Sequence, residues 1–247
     1  MPSPTIPKPI KYTAVLKHVR EVALSGTADL PFWKNRLQQQ NLLPAERDGR
    51  ARVLIIAAAG SFAGIRFQEL SFSILLSRTG DAEGDAGAYL LQAFNSSRFF
   101  AFCERTFFST PYAFGTVEVS TGSPASIKVV DGPEVLFHAE MQAASAVARE
   151  SSFRETDGWE GPVYLPKVGG KRDSQRHFFA RISGATKVYP FLQATDSVTI
   201  SRSHGGEALQ SLIDSNFVAT EWAIREDATH SKSKTYRCGS QVLTRTN

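Results

Sequence analysis

From residue 52 onward the chain is a succession of short apolar or alternating segments separated by turn signals, and this feature constrains the fold most. The segments Arg52–Ala59, Arg66–Arg78 and Ala88–Phe94 have the length and apolar character of buried strands. No helical segment recurs between successive strands, as a parallel sheet would require. The sequence therefore predicts an α+β fold that is mainly antiparallel β, with few short helices.

The clearest pairing is a hairpin in the middle of the chain. Ile127 and Val129 alternate with polar residues, Asp131-Gly132 is a turn signal, and the residues from Val135 to Ala139 alternate again. We expect further strands at residues 114–120, 177–183, 186–192, 198–201, 217–224 and 234–238, with a turn at Ser183-Gly184.

Helices are predicted in three places. Residues 11–40 have apolar residues at helical spacing, with Asp29 as an N-cap for the second part. Asn95 or Ser96 caps a short aromatic helix that we expect to be buried on the sheet and to end before Pro111. The third helix covers residues 207–215. Between the second and third helices, we expect residues 143–176 to form a long excursion over the sheet.

The predicted domain organisation follows from these segments. Residues 1–45 form an N-terminal arm, Pro-rich over 1–9, and helices packed on the main domain, and residues 46–247 form the β domain.

Composition limits the partners. Lys and Arg exceed Asp and Glu by 28 − 24 = 4 charges, which is too weak an excess to indicate nucleic acid. The uncharged stretch from Val53 to Ile65 is far shorter than the roughly 20 residues of a membrane helix. Cys103 and Cys238 lie far apart and suit two free thiols in a reducing compartment. We therefore expect a cytoplasmic protein with no nucleic-acid or membrane partner.

No cofactor or metal is predicted. The five histidines have no spacing that would hold a metal, and Gly169-Gly-Lys171 lacks the first glycine of a phosphate-binding loop. The basic residues Lys232, Lys234 and Arg237 suit a solvated edge strand.

Glu69 is the first candidate for chemistry. It lies within an otherwise apolar strand, where Phe67 and Ser71 share its face. A carboxylate in such a place needs a partner or a cavity. Pairing with Arg105 or Arg181 and a role as a pocket acid are both open.

The segment from Glu104 to Gly115 is the second candidate. Arg105 could bind an anion with its planar guanidinium, and Tyr112 could donate a phenolic proton into a cavity. A salt bridge at the helix end and an ordinary buried tyrosine are the simpler alternative.

These two places together resemble the acetoacetate decarboxylase superfamily. Its aromatic-x-Glu motif matches Phe67-Gln-Glu69, and its Arg-x-aromatic-aromatic-Gly-x-Pro-Lys-Lys motif matches the run from Arg105 to Ala113. The segments 159–166 and 179–191 are more similar to the uncharacterised DUF2071 branch. The resemblance implies a sheet curved into a cone or half-barrel around a ligand cavity, with Phe67, Arg105, Phe108 and Pro111 binding substrate.

The chain departs from the motif at the two lysines, which fall at Tyr112 and Ala113. A Schiff-base decarboxylase needs a neutral lysine beside another cation, for which acetoacetate decarboxylase is the standard example. Neither tyrosine nor alanine can form the imine. The departure therefore predicts that Schiff-base decarboxylation is absent.

Three functions remain open from the sequence. The first is a cavity that binds a small organic acid or apolar metabolite, with Arg105 on a carboxylate and Glu69 and Tyr112 fixing orientation. The second is a lysine-free lyase or hydratase that uses Glu69 as general base and Tyr112 as acid. The third is a non-enzymatic structural or interaction protein whose interior is filled by some of the 17 Phe side chains. A homo-oligomer is compatible with all three.

Overall fold

The computed structural model describes residues 10–77, 85–142, 152–167, 175–201 and 206–237. Within these residues the chain forms two sheets and three helices. The strands are β1 (Tyr12–Asp29), β2 (Glu46–Arg47), β3 (Arg50–Phe62), β4 (Ile65–Ser77), β5 (Asp85–Asn95), β6 (Tyr112–Phe114), β7 (Thr116–Ser120), β8 (Ser126–Asp131), β9 (Glu134–Glu140), β10 (Ser152–Leu165), β11 (Arg176–Pro190), β12 (Ser197–Ile200), β13 (Val218–Ser233) and β14 (Tyr236–Arg237). The helices are α1 (Leu30–Gln38), α2 (Arg98–Phe107) and α3 (Gly206–Asp214).

The large sheet has the order β1-β13-β11-β10-β5-β4-β3, and β1 also pairs with β3. The hydrogen bonds of these seven strands therefore run round a ring. The pairs are antiparallel except β10 with β5, and β6 adds to β5 in parallel. The prediction of a curved, mainly antiparallel sheet with few short helices is confirmed.

The second sheet is antiparallel, with the order β12-β9-β8-β7, and packs on the outside of the ring. Phe72 of β4 meets Phe137 of β9 at a ring separation of 5.3 Å in one continuous apolar core. Helices α1 and α3 add Trp33 and Leu209 to this core. The predicted hairpin is present as β8 and β9, joined at Asp131 and Gly132.

The strands of the ring thus have two faces with different neighbours. The outer face consists of the side chains that pack on the second sheet and the helices, such as Leu70 and Phe72. We call the inner face the side chains that point into the ring, such as Glu69 and Ser71. Because side chains alternate along a strand, neighbouring residues of β4 serve the core and the cavity in turn.

The predicted helix over residues 11–40 is wrong for its first half, which is strand β1. Asp29 does cap α1, accepting a hydrogen bond from the backbone N–H of Phe32 at 2.7 Å. The misleading spacing arises at an irregularity in β1, where His18 has a φ of 57° and the pairing shifts register on both sides of Val19. A bulge interrupts the alternation of a strand, and apolar residues then recur at near-helical spacing.

Strand β1 is bonded to both β3 and β13, so it is part of the same sheet as strands beyond residue 46. The Pro-rich residues 1–9 and Cys238 lie outside the described residues.

Two further expectations are corrected. The predicted excursion over residues 143–176 contains β10, a full member of the ring, whose glycines and Pro162 hid its strand pattern. The turn predicted at Ser183-Gly184 lies inside the continuous strand β11, where Gly184 has a φ of 154° and the pairing with β13 shifts. Glycine here permits a bulge rather than a hairpin.

Helix α2 is capped by Ser97 rather than Asn95 or Ser96. It was expected to be buried, but three of its phenylalanines are more than half exposed. One side of the helix faces the ring interior, and the other faces solvent.

The longest described helix, α2, has 10 residues, and no helix in the described part of the chain has the length and hydropathy to cross a membrane.

Candidate functional site

The inner face encloses a cavity of about 630 Å³. Its wall is predominantly apolar, with Leu54, Ile56, Leu90 and Val163 from the strands and several phenylalanines from α2. Charged and phenolic side chains also line it. We call seven of them, which influence one another through hydrogen bonds, ion pairs or charge, the polar cluster: Glu21, Glu69, Glu104, Tyr112, Arg225, His230 and Lys232.

Glu69 and Tyr112 meet in this cavity. The Tyr112 hydroxyl donates to Oε2 of Glu69 over 3.2 Å. Glu69 lies on the inner face of β4, and Tyr112 begins β6, where the chain returns to β5 after α2. Pro111 serves this return, because its carbonyl accepts the backbone N–H of Ala93 over 3.0 Å.

Burial is the main influence on both groups. It raises the pKa of Glu69, and the charge of Glu104 adds to the rise, whereas His230, Lys232 and the Tyr112 hydroxyl oppose it. The pKa of Tyr112 is raised well above its usual range by burial and by the neighbouring Glu69 and Glu104. Tyr112 is therefore a proton donor, and Glu69 can hold or release a proton nearer neutrality than an ordinary carboxyl can.

Arg105 does not join them. It is exposed on α2 and is not among the residues that line the cavity, so the pairing of Glu69 with Arg105 that the sequence left open does not form, and Arg181 pairs with Glu160. Pro111 is likewise absent from the lining, whereas Phe67 and Phe108 belong to it. The helical rotation separates Arg105 from its neighbour Glu104, which points inward instead.

Glu104 pairs inside the cavity with Lys232 of β13. The Lys232 Nζ also stands 4.5 Å from the ring centre of Phe178 and 4.8 Å from that of Phe108. The Tyr112 ring centre is 5.7 Å from the same nitrogen. The expectation that Lys232 is solvated on an edge strand is therefore wrong, because β13 is bonded on both sides and closes the ring.

A second buried ion group lies next to this pair. Glu21 is fully buried and accepts hydrogen bonds from Nη1 of Arg225 and Nε2 of His230. Burial opposes the charge on Glu21, but His230 and Arg225 outweigh it and hold the pKa of that carboxyl below its usual range. Burial likewise opposes the charge on His230, yet Glu21 and Glu69 raise its pKa above the usual range.

Sequence reasoning missed five members of the polar cluster: Glu21, Glu104, Arg225, His230 and Lys232. A signal existed in the two-residue spacing of His230 and Lys232, which places both on one face of a strand. The length of β13 concealed it, since the strand was predicted to end at residue 224 and continues to Ser233.

In the described residues no group of three or more His, Cys, Asp or Glu side chains could hold a metal ion. The third function left open by the sequence was a structural or interaction protein whose interior is filled by phenylalanine side chains. The open cavity beside Tyr112 does not fit that interpretation.

No protein-family model matches the sequence, and no curated protein matches it either. Solved structures do match. An acetoacetate decarboxylase superposes with a TM-score of 0.57 and 13% identity over 92% of this chain and 90% of its own. The chain has the acetoacetate decarboxylase-like fold.

Two other structures with this fold are as similar. The acetoacetate decarboxylase of Legionella pneumophila has a TM-score of 0.57 and 13% identity, covering 96% of this chain and 92% of its own. The enduracididine biosynthesis enzyme MppR, complexed with the condensation product of pyruvate and imidazole 4-carboxaldehyde, has a TM-score of 0.57 and 10% identity, covering 93% and 90%. At these identities the likeness establishes the fold alone, and the DUF2071 branch is not confirmed.

Proposed function

We propose that this protein binds a small organic molecule with an apolar body and a polar end inside the ring, without Schiff-base decarboxylation. The supporting observation is the cavity of about 630 Å³, whose apolar wall carries Glu69, Tyr112 and Lys232 together. Small-molecule sites have volumes of about 300–1,000 Å³ and combine an apolar lining with a few polar groups that fix orientation.

Lys232 takes the place that the sequence assigned to Arg105 as partner of an organic acid. Its ammonium has three donors, and Glu104 uses one of them in the described contacts. A ligand carboxylate or carbonyl can therefore accept from the same nitrogen. Glu69 and Tyr112 lie beside it, joined by the hydrogen bond from the phenol. A ligand polar atom that enters between them can accept from Tyr112 or donate to Glu69 in place of that bond.

The ion pair also argues against imine chemistry. An imine forms from a neutral amine, whereas a lysine paired with a carboxylate is in its ammonium form. Lys232 has Glu104 as its partner, and no second lysine lines the cavity among the described residues. This arrangement supports binding, or acid–base chemistry, over covalent catalysis.

The test begins with the ligand that the native protein carries. The protein is purified without denaturation, its bound small molecules are extracted, and mass spectrometry identifies them. We expect one dominant species with an apolar body and a carboxylate or carbonyl. Protein that carries no ligand and fails the probe experiment below contradicts the proposal.

A fluorescent apolar probe, N-phenyl-1-naphthylamine, locates the binding. Ser71 lies on the inner face, and Ser71→Phe places a ring in the cavity, whereas Ser197→Phe adds the same ring at an exposed position on β12. We expect wild type and Ser197→Phe to bind the probe equally and Ser71→Phe to lose binding. Equal binding by all three contradicts the cavity as the site.

A second candidate is a lyase or hydratase that uses Glu69 as general base and Tyr112 as acid. The observation that favours it is that Glu69 contacts the Tyr112 hydroxyl and makes no ion pair with an arginine in the described part of the chain, while burial raises its pKa. A base is most effective with a pKa near the working pH. Turnover of the identified ligand that Glu69→Gln abolishes while binding persists would establish this candidate.

A further inference from the structure

An exposed apolar surface lies on α2 and on the neighbouring hairpin tip between β3 and β4. We call it the aromatic patch, and it comprises Phe62, Ile65, Phe99, Phe102 and Phe107. Their exposed fractions are 40%, 44%, 59%, 51% and 72%. Phe100 links the two parts, since its ring centre is 6.3 Å from that of Phe62 and 5.6 Å from that of Phe99. A continuous exposed apolar surface of this kind marks an interaction site.

The exposed charges on the two segments that carry the patch have one sign. Arg66 follows Ile65 on the hairpin, and Arg98 and Arg105 lie on α2, all three exposed. The two segments, residues 61–66 and 98–107, contain one acid, Glu104, and it points inward to Lys232. The surface that these segments present is therefore apolar and cationic.

We propose that the aromatic patch docks on an anionic lipid bilayer. Aromatic side chains insert at the boundary of headgroups and acyl chains, and arginines beside them attract anionic lipids. This is a peripheral contact that needs no spanning segment, and the sequence argument against a membrane partner concerned only spanning segments. The proposal is independent of the proposed function.

A second copy of the chain suits this surface less well. In a two-fold symmetric contact the same patch meets itself. The arginines beside one patch, Arg66, Arg98 and Arg105, would then lie against the same cationic surface of the second copy, and neither segment offers an exposed acid to pair with them. Burying like charges without partners is costly.

The patch is also continuous with the cavity. Phe62, Phe99 and Phe107 are exposed and at the same time contribute to the cavity lining. A bilayer in contact with these three side chains would lie beside the entrance to an apolar interior. Taken together with the proposed function, on which this one step rests, the surface suits a protein that takes an apolar molecule from a membrane or delivers it there.

The experiment is sedimentation of the full chain with vesicles of phosphatidylcholine alone and with vesicles of phosphatidylcholine and phosphatidylserine in equal parts. The variants are Phe102→Ser and Arg105→Gln, because both residues belong to the surface and neither lines the cavity. The matched controls are Val135→Ser and Arg47→Gln, which change exposed residues on β9 and β2.

We expect wild type to bind the vesicles with phosphatidylserine, and added salt to weaken this binding. Arg105→Gln should weaken it about fivefold, and Phe102→Ser about tenfold. Both controls should bind as wild type does. All variants should bind N-phenyl-1-naphthylamine normally without vesicles, so a failure of cavity binding is seen separately.

Three results would overturn the proposal. The first is no binding to vesicles with phosphatidylserine. The second is binding that Phe102→Ser and Arg105→Gln leave unchanged. The third is self-association in analytical ultracentrifugation that Phe102→Ser abolishes, which would assign the patch to a second copy.

Discussion

The inner and outer faces of the ring are built from the same strands, yet they differ in what they bury. On the outer face of β4, Leu70, Phe72 and Ile74 are fully buried in the core. On its inner face, Glu69, Ser71 and Ser73 line the cavity. Strand β1 repeats the contrast, with Val22 in the core and Glu21 on the inner face. The difference shows that strand alternation places a stabilising core and a candidate site back to back.

The inner face also carries buried charges. Glu21 is fully buried, but it meets two cations, and Glu104 meets Lys232. A buried charge costs several kcal/mol unless a partner and hydrogen bonds offset it. The polar cluster should therefore be costly to disturb, although the cavity around it is not packed.

The largest effect expected from this comparison is on the inner face itself. Glu21→Gln removes the carboxylate that Arg225 and His230 share, and we expect it to lower the free energy of unfolding by about 3–5 kcal/mol. Glu226→Gln at the exposed pair with Lys187 is the control and should cost less than about 1 kcal/mol. Urea unfolding measures both, and equal costs would remove the distinction.

This loss should depend on pH in a definite direction. Glu21 has a lowered pKa, so its stabilisation is present above its usual value of 4.5 and is lost as the pH falls. His230 has a raised pKa, so its stabilisation is present below its usual value of 6.5 and is lost as the pH rises. The gap between wild type and Glu21→Gln should be widest between these two values.

Truncation of a leucine tests the packing of the two faces. Leu70→Ala empties a fully buried site on the outer face and should cost about 2–5 kcal/mol. Leu54→Ala removes a partly buried side chain that already borders the cavity and should cost about 1 kcal/mol. Thermal and urea unfolding compare the two variants, and a larger loss for Leu54→Ala would contradict the assignment of the faces.

A smaller effect is expected at Glu69, where the fold opposes the charge. Its pKa is raised, so wild type loses stability as the pH rises above 4.5 and through the raised value. Glu69→Gln stays neutral and should exceed wild type by about 1 kcal/mol or more at alkaline pH. The two should converge in acid. A Glu69→Gln variant that is less stable at every pH would show that the ionised carboxylate is stabilised instead.

The smallest expected change concerns the reactivity of Lys232. We expect borohydride with acetoacetate to leave wild type unlabelled at Lys232, since the amine is engaged in the ion pair with Glu104 and no second lysine lines the cavity among the described residues. Glu104→Gln should increase reductive methylation of Lys232 severalfold and leave Lys187 unchanged, as peptide mass spectrometry can measure. Stoichiometric labelling of wild-type Lys232 by acetoacetate would contradict this expectation and would indicate a Schiff-base decarboxylase or aldolase.

The sequence alone determined the parts of the fold in which local chemistry decides the outcome. Alternation fixed the faces of β4, and the Asp131-Gly132 turn fixed the β8–β9 hairpin. Asp29 and the proline after it predicted the start of α1. The motif around Phe67 and Glu69 pointed to the fold that the solved structures share. Each of these signals consists of residues within a few positions of one another in the sequence, so it can be recognised without knowledge of distant contacts.

Only the tertiary structure decided the rest. Local patterns missed β1 and β10 because a bulge, glycines and a proline disturb strands that gain their stability from pairing with distant segments. The choice between Glu104 and Arg105 depended on which side of α2 meets the ring. Lys232 became a cavity residue because β13 pairs with β1 and β11, which lie far away in sequence. Ring closure brings these groups together, and its contacts join residues about 200 positions apart, such as Glu21 and Arg225.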